Sequence, residues 1–475
     1  MKNRISSLSA LVIGIAILAG CSTTAKKTEK ASPNGYVSKT SNNGSFSLRP
    51  FKEMSLENGL KIIFIRDNTL PRVSMTLLLR TGSMQESAKK PGLNAMTAYL
   101  LEQGTQTRSA NQIADEFGQM GSSLDITPGA DVTTIYADSL TSSSENLLNL
   151  MADVTMNPAF KDHELSRMRS QILAGLKKKI DNPSAYSDEK IDEFLFEQHP
   201  YARDVNGTPE GVKSLTKQDI IRHYLTFYRP NNATLAVVGQ YGDDYENKVK
   251  EAFAKWSKRT IPKVQISEAP PVEKLQVRLI VKKGLKQTQI RLSQIGIDRS
   301  DADFLPLRLG NEILGGGFAS RLNQKVRDDL GLTYSISSGF DVRKDKGSFD
   351  ISTFSKNELA GQAFEETLKV VNDYMASGAQ DREIMAGKNQ LVGQFPRAIE
   401  TADRLAYNLL VLDFYGIPFD YLTDYNKNVG DLTTARVNEA MKRHLDPTKF
   451  KVIVYGSEVI VPQFEKYNPE IVKVH

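Results

Sequence analysis

Apolar positions along this chain change their spacing from one region to the next. From about Leu8 to Ala19 they are almost uninterrupted. Between 22 and about 48 the chain turns polar, rich in Ser, Thr, Lys, Asn and Gly, as in Ser41-Asn42-Asn43-Gly44-Ser45. With so little to bury, the stretch 21–48 reads as a flexible tether. Beyond it, short aliphatic runs alternate with amphipathic stretches, twice in the same order. Leu60 to Ile65 and Val73 to Leu79 predict strands. Helices at about 92–102 and 110–120, strands around 122–127 and 132–138, and helices at 143–154 and 162–180 follow. In the second half, Val277 to Val281 and Gln289 to Ile295 predict strands. Helices at 303–314 and 319–329, strands at 333–341 and 347–354, and helices at 359–376 and 381–393 complete the series.

The echo reaches single stretches. Asp138-Ser139-Leu140 leading into Leu147, Leu148 and Met151 parallels Ser352-Thr353-Phe354 leading into Phe364 and Leu368. Glu164 to Leu173 likewise parallels Glu383 to Val392. A repeat of roughly 200 residues is far too long for a solenoid. It implies a duplicated α+β unit: two homologous lobes, each a mainly antiparallel sheet covered by helices, arranged as a clamshell. Ile261-Pro262 and Pro270-Pro271 flank a polar linker at 257–275, which divides lobe 49–256 from lobe 276–475.

Composition changes the picture at two points. The 475 residues are 40% hydrophobic and 25% charged, as in soluble globular chains, and the net charge of +5 is spread without a long basic run, which argues against nucleic acid as a partner. The single cysteine, Cys21, rules out an intrachain disulfide and a cysteine metal site. Its position decides how the amino terminus reads. Lys2 and Arg4 precede the apolar run, which at about a dozen residues suits a signal peptide and falls short of the ~20 needed to span a bilayer. Leu18-Ala19-Gly20-Cys21 resembles a bacterial lipobox. The resemblance implies a signal peptide over 1–20, cleavage before Cys21, and acyl chains on that cysteine as a membrane anchor. Ser22 is not the acidic residue that retains many such lipoproteins at the inner membrane, so an outer-membrane location facing the periplasm is expected.

The run Gly92-Leu93-Asn94-Ala95-Met96-Thr97-Ala98-Tyr99-Leu100-Leu101-Glu102-Gln103-Gly104-Thr105 resembles the signature helix of the pitrilysin/insulinase metallopeptidases, the family that includes mitochondrial processing peptidase. That signature reads Gly-Leu, then His-x-x-Glu-His, then Gly-Thr at the same spacing. Arg80-Thr81-Gly82-Ser83-Met84-Gln85-Glu86 is similar to the family's Gly-Ser-x-x-Glu strand end. His199-Pro200-Tyr201 through Gly207-Thr208, and Tyr228-Arg229-Pro230-Asn231-Asn232 to Gly239, follow its pattern downstream. The likeness runs from about 50 to 455.

In that family two histidines on one helical face hold zinc and the intervening Glu is the general base. Position by position, the first His falls on Ala95, the Glu on Ala98 and the second His on Tyr99. The third ligand, a Glu on a later helix, falls on Ala174 or Gly175. All four positions have lost the chemistry, so this chain is expected to bind no metal. His163, His199 and His223 offer no pair at i,i+3 or i,i+4, and Glu102 lies one turn past the base position and reads as a solvated helix residue. The second half keeps its signature: Gly315-Gly316-Gly317-Phe318-Ala319-Ser320-Arg321-Leu322, then Val326-Arg327-Asp328-Asp329-Leu330-Gly331-Leu332-Thr333-Tyr334-Ser335. The resemblance implies that Arg327 and Tyr334 reach toward a zinc site on a facing lobe and bind substrate peptide, with Gly315, Gly316 and Gly317 near substrate and dimer contacts. The chemistry suits it, since a fixed cation and a neutral phenol both answer a carbonyl gaining negative charge. The plainer reading pairs Arg327 with Asp328 or Asp329 and packs Tyr334 in the core.

Some members of the family work as heterodimers, one subunit bearing zinc and the other the Arg/Tyr pair. Loss in the first half with retention in the second implies the non-catalytic subunit of such a peptidase. It would bind unfolded peptide and present Arg327 and Tyr334 to zinc held by its partner. The alternative is a peptide-binding or scaffolding pseudoenzyme of the cell envelope, with no proteolysis.

Overall fold

Strand β4 (Lys61–Arg66) buries the four residues between its charged ends, and β8 (Ala233–Gly239) buries every residue. Side chains alternate between the faces of a strand, so strands buried throughout must be covered on both sides. That requirement organises the molecule. The computed structural model describes residues 30–31, 35–41 and 46–474. The expected signal peptide at 1–20, Cys21 and much of the expected tether lie outside them.

The first sheet contains β1 (Lys30–Ala31), β2 (Val37–Ser38), β3 (Phe51–Ser55), β4, β5 (Arg72–Leu79), β6 (Leu124–Pro128), β7 (Thr133–Leu140) and β8, ordered β1-β2-β3-β4-β8-β5-β7-β6. The second contains β9 (Gln276–Lys282), β10 (Gln287–Ile295), β11 (Ile336–Asp341), β12 (Ser348–Lys356), β13 (Lys451–Gly456) and β14 (Glu470–Val474), ordered β11-β12-β10-β13-β9-β14. The run β6-β7-β5-β8-β4 matches β11-β12-β10-β13-β9 in order and in pairing sense: each run ends in one parallel pair after three antiparallel ones. The duplicated α+β lobes expected from sequence are therefore present, and they part company only at the edges, where β3 is antiparallel and β14 parallel to its neighbour.

The helices of the first lobe are α1 (Leu93–Leu100), α2 (Ala110–Gln119), α3 (Ser144–Met156), α4 (Asp162–Lys179), α5 (Pro183–Phe196), α6 (Pro209–Ser214), α7 (Lys217–Phe227) and α8 (Tyr245–Ala254). Those of the second are α9 (Phe304–Asn311), α10 (Ala360–Ser377), α11 (Asp381–Ala398), α12 (Ala402–Tyr415), α13 (Asp420–Gly430), α14 (Thr434–His444) and the short α15 (Val461–Phe464). Ile62 and Phe64 enter the first lobe's own core, with Met96, Phe117 and Leu147. Their neighbours Ile63 and Ile65 point the other way, into a core shared with Leu405, Leu409 and Leu412 of α12. Helix α12 thus leaves its own lobe to cover the first sheet across β4, β5 and β8. Helix α5 does the reverse: Tyr186, Ile191 and Phe194 pack on Ile280, Ile453 and Tyr455 of the second sheet.

Carboxylates fix both exchanged helices. On α12, Asp403 accepts from Arg72 Nη1 at 2.7 Å and also binds Ser74, while Asp413 accepts from Lys61 Nζ at 2.8 Å and Thr234 Oγ1 at 2.7 Å and pairs with Arg80. On α5, Asp188 accepts from Arg291 Nε at 2.6 Å. Just past it, Glu197 accepts from Lys451 Nζ at 2.6 Å.

One expectation is corrected. The tether does not extend to residue 48, because the polar stretch contains Tyr36, which is 6% exposed and donates its hydroxyl to Glu246 Oε1 at 2.7 Å. One buried aromatic with a carboxylate partner outweighs the composition around it, and β2 pairs with β3. Residues 257–275 carry no regular structure, and Ala269 and Val272 pack beside Met84, Leu195 and Phe196.

Candidate functional site

Helix α1 begins from a residue upstream of it. Both oxygens of Glu86 accept backbone N–H groups at the helix start, from Gly92 at 2.9 Å and Asn94 at 2.6 Å, which satisfies donors the helix cannot. Burial pushes the Glu86 carboxyl up to about 8, against those two bonds and the charge of Arg203. Asn94 then gives Nδ2 to Thr133 Oγ1 at 3.0 Å, and its Oδ1 lies 3.1 Å from Nε2 of His223. His223 is buried, which drives its imidazole down to about 3 and keeps it neutral. Gly207, at φ +83°, closes on this corner: a Cβ there would stand 2.4 Å from the Pro91 carbonyl oxygen. The motif residues Glu86, Gly92 and Gly207 thus hold the helix in place whether or not it bears metal ligands.

The ligand positions themselves are inert. Ala95 and Ala98 are buried. Tyr99 donates its hydroxyl to Asn206 Oδ1 at 3.1 Å. Of the two residues aligned with the third ligand, Gly175 lines a hollow of about 710 Å³ beside Tyr99, with Met168, Ile172 and Leu176, while Ala174 is exposed and does not line it. Zinc needs imidazole, thiolate or carboxylate donors converging at about 2 Å. Ala95, Ala98 and Gly175 supply no donor atom and the Tyr99 phenol is engaged, so these residues do not fit the ion.

The second-lobe signature forms two wide helical turns around a glycine corner. Gly317 N–H bonds the carbonyl of Glu312, and Leu330 N–H that of Lys325, each five residues back; such wide turns often mark functional segments. Gly315 is required by close approach, since a Cβ would stand 2.3 Å from Ser338 Oγ. Arg327 and Tyr334 are brought together: Arg327 Nε donates to the Tyr334 carbonyl oxygen at 3.0 Å and Nη1 to Asp328 Oδ1 at 3.1 Å. The guanidinium carbon lies 5.0 Å from the Phe318 ring centroid and 5.9 Å from that of Tyr334. Half of the plainer reading is realised, in the ion pair with Asp328. The other half is not, because Tyr334 is 80% exposed and Phe318 78%. Phe318 is the member that sequence reasoning passed over; an aromatic just after three glycines was the available signal. Neither Arg327 nor Tyr334 lines the hollow at Tyr99.

The sequence model described as Insulinase (Peptidase family M16) matches residues 61–209, and the one described as Peptidase M16 inactive domain matches residues 214–391. The chain belongs to peptidase family M16. Similar sequences include an uncharacterized zinc protease of Mycobacterium leprae, 28% identical over 423 residues that cover 87% of this chain and 92% of that protein. Another, of Rickettsia felis, is 27% identical over 346 residues, 72% of this chain and 82% of its own. Among solved structures, the peptidase M16 inactive domain from Pseudomonas fluorescens aligns with a TM-score of 0.79 at 26% identity, over 86% of this chain and 98% of its own. A protease from Helicobacter pylori shares the fold, at a TM-score of 0.79 and 18% identity, over 86% of this chain and 100% of its own. Within M16 this is a peptidase-like, non-catalytic member.

The remaining candidates take structural places in this M16 fold. His199 accepts the Tyr201 N–H at Nδ1, 3.1 Å away, and lies 3.3 Å from Asp345 of the other lobe through Nε2. Tyr201 donates to Asp131 at 2.8 Å and accepts the Asp345 N–H at 3.1 Å, which ties the β11–β12 turn to the first lobe. Glu102 is half-buried rather than solvated; burial raises its carboxyl, and Gln103 donates to it at 3.0 Å. Ligand atoms of Asp301, Asp303 and His444 lie within 4.8 Å of one another, but Asp303 already receives Arg436, Arg443 and His444 Nε2 (2.9 Å), so cations fill that position.

Proposed function

We propose that this chain is the non-catalytic subunit of a heterodimeric zinc peptidase, one that binds peptide and presents Arg327 and Tyr334 to a zinc-bearing M16 partner. The observation that carries the reading is the pairing of a metal site without donors and an Arg327–Tyr334 patch that stands exposed beside Phe318. An exposed tyrosine held by its own arginine has nothing to act on among the described residues. A surface for it to face has to come from a second chain. Acylation of Cys21 belongs to the same reading and would hold the complex at the outer membrane, facing the periplasm.

The hollow at Tyr99 favours a second reading, a pseudoenzyme that binds peptide without cleavage, because apolar Met168, Ile172 and Leu176 line the space. Reconstitution separates the two. Mixed with a family member that carries an intact His-x-x-Glu-His, this protein should raise cleavage of an unfolded peptide. Arg327→Ala and Tyr334→Ala should each lower kcat by on the order of 10², the usual cost of one lost transition-state donor. Full activity of both variants rules out the donated pair; a complex that binds peptide and never cleaves it favours the second reading.

A further inference from the structure

Arg299 is a held cation with no counter-ion. Its guanidinium carbon sits 3.7 Å from the ring centroid of Phe304 and 4.9 Å from that of Tyr421. Among the described residues no carboxylate pairs with it and its side chain donates no hydrogen bond. Arg72, Arg291, Arg321 and Arg343, by contrast, each rest on a carboxylate.

The two rings wall a hollow of about 550 Å³ between residues 299–303, the start of α9, the turn after α12, and helices α13 and α14. That is the size range of small-molecule sites. Leu305, Ile417 and Leu432 make its other walls apolar. Tyr421, on the same wall as Arg299, has a buried hydroxyl with no hydrogen-bond partner among the described residues. Other charged groups reach the hollow, and each is engaged. Asp431 binds Lys427, Asp301 accepts the Asp303 N–H at 2.8 Å, and Arg436 pairs with Asp303. Asp301 faces the Asp303 backbone rather than a cation, and Arg299 is the lining cation that no carboxylate answers among the described residues.

We propose that this hollow binds a carboxylate carried on an apolar body, whether the C-terminus of a peptide ending in a large apolar residue or a free arylalkanoic acid. Phe304 and Tyr421 lie against the guanidinium, and a contact with a ring face consumes none of its N–H donors. A planar carboxylate meets those donors with two parallel bonds. The ligand's apolar part then lies against Leu305, Ile417 and Leu432. This site lies apart from Tyr99 and from Arg327, and it stands whether or not the chain serves a peptidase.

The test is calorimetric titration of the purified protein with three probes: N-acetyl-Ala-Ala-Phe as the free acid, the same peptide as its C-terminal amide, and 3-phenylpropionate. The peptide acid is expected to bind at least about tenfold more tightly than the amide, the scale of one charge-assisted pair. Arg299→Gln should erase that difference. Binding of 3-phenylpropionate as tight as the peptide acid assigns the site to free acids; binding of the peptide acid alone assigns it to chain termini, and both outcomes support the site. Binding of neither acid, or equal binding of acid and amide, overturns it. Because Arg299→Gln also removes a stacked side chain, Leu432→Trp provides an independent check by filling the hollow with Arg299 in place. Undiminished affinity in that variant likewise overturns the proposal.

Discussion

Asp413→Ala should destabilise the protein by about 2–4 kcal/mol, the cost of stranding cations around a removed buried carboxylate. Asp413 is 12% exposed and answers Lys61 on β4, Thr234 on β8 and Arg80 just past β5, all in the other lobe. Burial alone would raise its carboxyl; the hydrogen bonds from Lys61 and Thr234 and the charge of Arg80 outweigh that and hold it below the usual range. Its contribution is therefore present above the ordinary carboxylate pKa and is lost only in acid. Removing it leaves Lys61 with Glu53 as its remaining carboxylate and Arg80 with none in contact. Asp413→Asn keeps the shape and a bond to Thr234, and should cost about half as much. Urea unfolding at pH 7 reads both. Asp373→Ala breaks the exposed pair with Lys369 and should leave the midpoint where it is. An Asp413→Ala midpoint as unchanged as that control would show that the docking of α12 does not depend on its carboxylate.

Stability should also fall as pH rises from about 6 to about 8.5. Burial raises the carboxyls of Glu86 to about 8, Asp192 to about 7 and Asp350 to about 6. An acid whose folded pKa exceeds its unfolded value keeps its proton in the fold and loses it on unfolding. Its favourable contribution is complete below the unfolded pKa and disappears as pH climbs through the folded one, at up to about 1.4 kcal/mol per pH unit for each group. His223 works in the opposite sense. Held near 3, it refuses a proton that the unfolded chain accepts from about 6.5 downward, so the gain on acidification slackens below that pH. Glu86→Gln should flatten the alkaline decline measurably. An unfolding midpoint for Glu86→Gln that still falls as steeply as the wild type between pH 6 and 8.5 would remove Glu86 as its source.

What was legible in the sequence was what local pattern encodes. The aliphatic runs at 60–65 and 73–79 became β4 and β5, and the order shared by the halves became two sheets with the same strand sequence. The degenerate positions were readable because each is one letter in a spaced motif. Long-range placement was not. Nothing in Lys61-Ile62-Ile63-Phe64-Ile65 tells that Ile62 meets its own lobe and Ile63 the other. Periodicity reports that both faces are buried, not by what. Tyr36 was hidden in a polar stretch because its partner Glu246 lies 210 residues away. Asp403 and Asp413 are as distant from their partners, 331 residues from Arg72 and 352 from Lys61. Between Ala174 and Gly175 the choice depended on helix rotation, which one sequence does not fix.

The crossing of α5 and α12 bears on how such a chain arose. Each sheet has one face that its own lobe does not cover, and each lobe supplies the helix that covers its counterpart. A gene encoding one lobe alone would leave that face of its sheet bare. It would have made a pair of identical chains, each holding the other's helix in a swapped embrace. In this protein residues 257–275 connect the two lobes, so the exchange of helices takes place within one chain. Within the one chain the lobes differ in what they carry: Glu86, Gly92 and Gly207 hold α1 in place in the first without metal-ligand side chains on it, and Arg327 and Tyr334 form an exposed patch in the second.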